Sequence, residues 1–154
     1  MKRISLLMVI ICIGMLFAAN QCNRENCHNE IPFINNSDKV LYVMGLTYSS
    51  DTLFYIGNWL TTPSNNHKVE PNSTNTHCLS RRAGNCYDVV PITRIFIFEE
   101  QVILSTPRDT IQQNYMILQR YDLTPEDLEL LNWEVPYPPN ERMKNMKMYP
   151  PYEE

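Results

Sequence analysis

The segment RIFIF, residues 94–98, is the strongest indication of how this chain folds. Four large apolar side chains follow one another there, whereas a strand with one solvent-facing side alternates apolar and polar residues. A short run of this kind, rich in Ile and Phe, is typical of a strand that is buried on both faces. The segment therefore predicts the core strand of the domain.

Shorter strand patterns precede this core strand. Three segments rich in β-branched and aromatic residues predict strands separated by turn-forming Asn, Ser and Asp: Ile31–Ile34, Lys39–Thr47 and Thr52–Ile56. Residues 58–75 are dominated by Thr, Pro, Ser and Asn, so they predict a loop, with a short strand at His67–Val69. Residues 76–90 predict a second irregular stretch.

Two similar tetrapeptides indicate helix starts after the core strand. Each has Thr as a capping residue, Pro at the first helical position and an acidic residue that suits the helix dipole. They occupy residues 106–109 and 124–127, and they predict short helices at about 107–113 and 125–132. Tyr115–Leu123 between them predicts a strand, although a longer helix from residue 107 is an alternative.

The order of these patterns predicts an α+β fold. We expect mostly antiparallel β structure, as a small sheet or a sandwich, with two short helices toward the C-terminus. Trp133–Val135 predicts the last short strand, because the prolines that follow it end regular structure. Residues 31–139 are expected to form a single β-rich domain, and residues 140–154 a loose C-terminal tail.

Residues 1–21 have the layout of an export signal. Two basic residues precede an uncharged apolar run from Ile4 to Ala19, which is shorter than the roughly 20 residues needed to span a bilayer. Cys22 follows at the position of the lipidated cysteine of bacterial lipoproteins, but Ala-Asn-Gln before it is a poor lipobox. Lipidation at Cys22 and ordinary cleavage near residues 18–20 therefore both stay open. Residues 22–30 predict a polar tether.

Four cysteines follow the signal: Cys22, Cys27, Cys78 and Cys86. In an exported chain they are expected to oxidise, and four cysteines allow three pairings. If Cys22 is lipidated, one of the other three is left unpaired. We favour Cys27–Cys86, since it would join the N-terminal edge of the domain to the loop before its core strand. Cys78–Cys86 is the local alternative.

The charge of the chain argues against nucleic acid as a partner. Without its two N-terminal basic residues the chain has 11 basic and 17 acidic residues, a net charge of −6. Nucleic-acid binding needs concentrated Lys and Arg, and adhesion to an anionic membrane needs basic clusters. Contact with a membrane is therefore expected only through a lipid on Cys22.

The residue patterns predict neither a metal site nor a cofactor. His28 and His77 each adjoin a cysteine, but the paired ligand spacings of zinc sites are missing from the sequence. A Cys–His nucleophile would need Cys78 as a free thiol. Glu99 and Glu100 are a weak carboxylate pair, because neighbours on a strand point to opposite faces. The sequence thus predicts no catalytic residue.

Three segments resemble a group of small exported proteins of Bacteroidetes. They are CHNEIPFINNSDKVLYV (27–43), IFIFEE (95–100) and DTIQQNYMILQRYDLTPEDLELLNWEVPYPP (109–139). The members of this group are secreted or lipid-anchored and have no established activity. The resemblance implies bacterial export and supports the Cys27–Cys86 pairing. It supplies no catalytic residues.

We therefore expect a non-enzymatic exported domain that binds a protein or a glycan through its loops. Its expected location is the periplasm, the outer membrane or the cell surface. Trp59, in the predicted loop 58–75, is the candidate for ligand contact, and a partly buried loop anchor is the alternative role. The alternative functions are a small hydrolase with an unrecognised site and an accessory subunit of an envelope complex.

Overall fold

The computed structural model describes residues 27–47, 64–82 and 85–153. The predicted export signal, Cys22, Trp59 and the predicted strand Thr52–Ile56 lie outside these residues. The described strands are β1 (Phe33–Asn35), β2 (Leu41–Leu46), β3 (Lys68–Val69), β4 (Ser73–Asn75), β5 (Thr93–Glu99), β6 (Gln119–Leu123), β7 (Val135–Tyr137) and β8 (Lys147–Tyr149). The described α-helices are α1 (Glu100–Ser105), α2 (Arg108–Gln113) and α3 (Pro125–Leu130). Within the described chain, none of these helices is long and apolar enough to cross a membrane.

The described strands form two sheets, so the predicted α+β fold with mostly antiparallel strands is confirmed. The larger sheet has the order β3-β2-β5-β6-β8, and all of its pairs are antiparallel. The smaller sheet has the order β4-β1-β7, with β1 antiparallel to β4 and parallel to β7. The predicted core strand is β5, at the centre of the larger sheet.

Both faces of β5 are buried, as its sequence predicts. Ile95 and Ile97 lie in a core shared with the smaller sheet, α3 and the C-terminal segment. Phe96 and Phe98 point to the opposite face, where Ile103 of α1 packs with them in a second core. The side chain of Tyr121 on β6 lies in the first core, and its hydroxyl donates a 3.1 Å hydrogen bond to the carbonyl of Pro136 on β7.

The two predicted helices are present, and a third one was missed. At α3 the predicted cap is confirmed, since the Thr124 hydroxyl accepts from the backbone N–H of Asp127 and the Asp127 carboxylate accepts from Thr124. At α2 the cap is Pro107, because Thr106 instead ends the helix before it. That helix, α1, continues directly from β5 without a capping side chain, so the sequence carried no start signal for it.

The last predicted strand is displaced along the chain. Trp133 was expected to begin it, but Asn132 and Trp133 have left-handed backbone angles, φ 55° and 60°, and the strand is Val135–Tyr137. Pro136 lies inside this strand, which is tolerated because β7 is at the edge of its sheet. Strand β4 was also missed, because its residues Ser73–Asn75 belong to a segment with loop composition.

The prediction of a loose C-terminal tail is wrong. Met143 is fully buried and Met146 nearly so, and both belong to the first core. Strand β8 pairs with β6, with Tyr121 opposite Met148. The sequence hid this role because single methionines among lysines and asparagines make no strand or helix period. At the other end, residues 27–30 are part of the fold as well, since Glu30 forms a β-bridge with Ser80.

We expect Met143→Ala to lower the free energy of unfolding by about 2–5 kcal/mol, because it leaves a cavity in the first core. Leu104→Ala is the matched control, since Leu104 is 63% exposed, and it should change stability by less than about 0.5 kcal/mol. Urea denaturation of both variants measures the difference. An equally small effect for Met143→Ala would show that the C-terminal segment is not part of the core.

Candidate functional site

A disulfide joins the two segments that build the candidate site. Cys27 and Cys86 are bonded, with their Cα atoms 5.1 Å apart across a sequence separation of 59 residues. This is the favoured pairing of the sequence analysis, and it is confirmed. The bond places His28, which follows Cys27, beside Asp88, which lies two residues after Cys86.

His28 and Asp88 form two hydrogen bonds with each other. The backbone N–H of His28 donates to Asp88 Oδ2 over 2.8 Å, and its Nδ1 lies 2.9 Å from Oδ1. An ionised carboxylate can only accept hydrogen bonds, so Nδ1 carries the proton. Nε2 is then the ring nitrogen that remains to bind another group. Both carboxylate oxygens are used, and the imidazole is therefore held in one orientation.

The indole of Trp133 stacks on this oriented imidazole. The ring centroids are 3.7 Å apart and the planes differ by 9°. The turn after α3 presents the indole, since the backbone N–H of Trp133 donates to the carbonyl of Leu128 over 2.8 Å and that of Asn132 donates to the carbonyl of Glu129. A left-handed backbone is unusual for a residue as large as Trp.

An open pocket of about 260 Å³ lies at this ring pair. It is lined by residues from the disulfide-linked segments and from α3 and its C-terminal turn: His28, Asp88, Pro125, Glu126, Glu129 and Trp133. We call it the His28–Trp133 pocket. Its lining side chains are one indole, one imidazole, one proline ring and three carboxylates, which is a set suited to binding.

The carboxyl groups of the pocket are poor candidates for acid catalysis. Partial burial acts to raise the pKa of Asp88, but the hydrogen bonds from the His28 ring and backbone outweigh it, and the pKa is lowered. Hydrogen bonds from its own backbone N–H and from the Thr124 side chain lower the pKa of Glu126. A general acid in glycoside hydrolysis needs a raised pKa instead. These two groups are ionised at neutral pH.

The thiol of Cys78 is also unsuited to catalysis. Its side chain is buried, and its Sγ donates a 3.5 Å hydrogen bond to the carbonyl of Asn75. Burial raises the pKa of Cys78 to about 12, so the thiolate that attacks substrates is almost absent at neutral pH. The structure thus argues against the Cys–His nucleophile considered from the sequence.

The sequence-derived carboxylate pair is divided between two ion pairs. Glu99 contacts Lys39, and Glu100 lies 3.1 Å from Lys68, at the junction of β5 and α1. These contacts are partly exposed and tie neighbouring elements together. Across the described ranges, no group of three His, Cys, Asp or Glu side chains is arranged to hold a metal ion.

A charged cluster that the sequence analysis missed lies on the face of the larger sheet that carries α1 and α2. The buried carboxylate of Asp122 is 3.1 Å from Arg120 and 3.4 Å from each of Arg94 and Lys147. Arg94 and Lys147 sit directly opposite Asp122 on the two flanking strands. The cluster joins β5, β6 and β8, and charge pairing across strands accounts for it.

The residues of the His28–Trp133 pocket were not predicted from the sequence to lie together. From the sequence, His28 was only a weak candidate metal ligand, and ligand contact was expected at Trp59, which the structure does not describe. A signal was nonetheless present: once Cys27 is paired with Cys86, His28 and Asp88 must be close. The stacking of Trp133 depended on the turn after α3, which no sequence pattern indicated.

We expect Cys78 to resist alkylation in the folded protein at pH 8. With a pKa near 12, its thiolate fraction is on the order of 1000-fold lower than that of an ordinary thiol, and reaction should be at least that much slower than in urea. Because the folded state disfavours the thiolate, this group's contribution to stability is complete below pH 9 and is lost between about pH 9 and 12. Iodoacetamide labelling, mapped by mass spectrometry, measures the rate. Equal rates with and without urea would show an accessible thiol.

We expect the double variant Cys27→Ser, Cys86→Ser to lower the free energy of unfolding by about 4 kcal/mol, from the entropy of the 59-residue loop. The Trp133 emission should change as well, because His28 is no longer held against the indole. Dithiothreitol should reproduce both effects in the wild type and have no effect on the double variant. Peptide mapping that found Cys78 bonded to Cys86 would contradict the pairing.

The chain has no significant match among protein-family models, curated proteins or solved structures. The resemblance to exported Bacteroidetes proteins therefore stays a prediction from the sequence. Among the described residues, the His28–Trp133 pocket brings together the groups best suited to binding a ligand.

Proposed function

We propose that this protein is a non-enzymatic exported domain that binds a protein or a glycan of the cell envelope at the His28–Trp133 pocket. The observation that carries the proposal is the stacked His28–Trp133 pair, held by Asp88 at the mouth of an open pocket. Aromatic rings beside a few oriented polar groups are the usual composition of a binding pocket.

Two further features support a binding role. The pocket is built from loop segments and a helix end, which are the parts of a fold where binding residues concentrate. It is also preorganised, because the disulfide and the Asp88 hydrogen bonds hold its rings in place before any ligand arrives. The disulfide itself is compatible with export, since such bonds persist in oxidising compartments.

A hydrolase is the second candidate function, because Asp88, Glu126 and Glu129 line one pocket. Paired carboxyl groups across a cleft are the machinery of glycoside hydrolysis. The lowered pKa values of Asp88 and Glu126 weigh against this function, since one of the two groups must stay protonated to act as the acid. Binding therefore remains the better supported proposal.

We expect Trp133→Ala to weaken binding at least about tenfold on panels of envelope glycans and of envelope-protein peptides, because it removes the aromatic surface. Tyr149→Ala is the matched control, since Tyr149 is a half-exposed aromatic residue outside the pocket. Far-UV circular dichroism verifies that both variants fold. Trp59→Ala in the same assay tests the loop contact expected from the sequence.

Two outcomes would contradict the proposal. If Trp133→Ala binds as well as the wild type, the ligand site lies elsewhere. If the wild type releases shorter oligosaccharides from a bound glycan, and Glu129→Gln stops the release, then the protein is a hydrolase.

A further inference from the structure

The His28–Trp133 pocket carries excess negative charge. Asp88, Glu126 and Glu129 line it, and its other lining residues are His28, Trp133 and Pro125. The basic residue Arg81 lies near Asp88, but its guanidinium donates to the carbonyl of Cys86 and lies over the Tyr87 ring. Arg81 does not line the pocket, and His28 pairs with Asp88, so no Lys or Arg among the lining residues faces the carboxylates of Glu126 and Glu129.

The hydrogen-bonding groups of the pocket are nearly all acceptors. The carboxylates of Glu126 and Glu129 only accept, and the Nδ1–H of His28 donates to Asp88. Apart from His28, the indole N–H of Trp133 is the side-chain donor among the lining residues. An ammonium or guanidinium group has only donors, and it therefore matches this pocket better than a sugar hydroxyl does.

The aromatic pair adds a second attraction for a cation. The face of a Trp ring attracts ammonium and guanidinium groups, and this attraction strengthens when the cation is partly desolvated. The carboxylates and the Trp ring of this pocket would therefore attract the same cationic group of a ligand. The pocket volume of about 260 Å³ suits one side-chain head group rather than a long oligosaccharide.

Exposed apolar residues follow two of the lining acids in the chain. Val89, next to Asp88, is 80% exposed, and Leu130, next to Glu129, is 67% exposed. The turn Tyr87–Val89 packs against α3, so both residues lie on elements that meet at the pocket. Exposed apolar residues on the elements that form an aromatic pocket are typical of protein interfaces.

We propose that the His28–Trp133 pocket binds the ammonium or guanidinium group of a Lys or Arg side chain on a partner protein. This inference rests on the proposed binding function and names the ligand class for the same site. It favours a protein over a glycan, because charge, acceptor groups and exposed apolar residues all suit a basic peptide.

The test follows the Trp133 indole N–H signal by ¹⁵N NMR, with Trp59→Phe to assign it. The probe is a trilysine peptide, and the same peptide with acetylated side chains is its neutral control. We expect a saturable shift with trilysine alone, weakened by raising salt from about 20 to about 200 mM. Glu129→Gln should weaken binding roughly fivefold, whereas Glu141→Gln, an exposed acid outside the pocket, should leave it unchanged.

Three other results would overturn the inference. Equal effects of Glu129→Gln and Glu141→Gln would mean diffuse attraction to an acidic protein. If tri-N-acetylglucosamine shifts the Trp133 signal and trilysine does not, the inference of a basic ligand is wrong, but the proposed binding function is retained. If neither probe moves the Trp133 signal, and Trp133→Ala leaves binding to the ligand panels intact, both the inference and the proposed site fail.

Discussion

The burial of β5 on both faces is the constraint on which the fold depends. Ile95, Phe96, Ile97 and Phe98 are each at most 2% exposed, and burying side chains of this size contributes roughly 1.5–3 kcal/mol apiece. The smaller sheet, α3 and the C-terminal segment pack on one face of β5, and α1 and α2 pack on the other. Every described α-helix therefore covers a face of the larger sheet.

The candidate site forms at the periphery of this core, and long-range closures create it. The disulfide holds residues 27 and 28 beside residues 86–88, and the turn after α3 presents Trp133 to His28. Trp133 also packs partly against the first core, whereas His28 and Asp88 belong to neither core. The cores by themselves do not require the His28–Asp88 pair to lie against the indole, which is why the pocket carries the functional proposal.

The sequence predicted elements well where local chemistry decides them. Strand β5 followed from its apolar run, and α3 from the Thr124 cap, because both signals lie within the element itself. Prediction failed where an element depends on a distant partner. Strand β8 forms because the edge of β6 is available, and β4 pairs with β1 although its residues have loop composition.

For the site, the sequence by itself determined the chemistry that was available: four cysteines with a favoured pairing, two helix starts, and acidic residues in the second helix. Only the tertiary structure decided that His28, Asp88, Glu129 and Trp133 share one pocket. The physical reason is that local propensities act over a few residues, whereas this pocket joins segments separated by 60 residues and more.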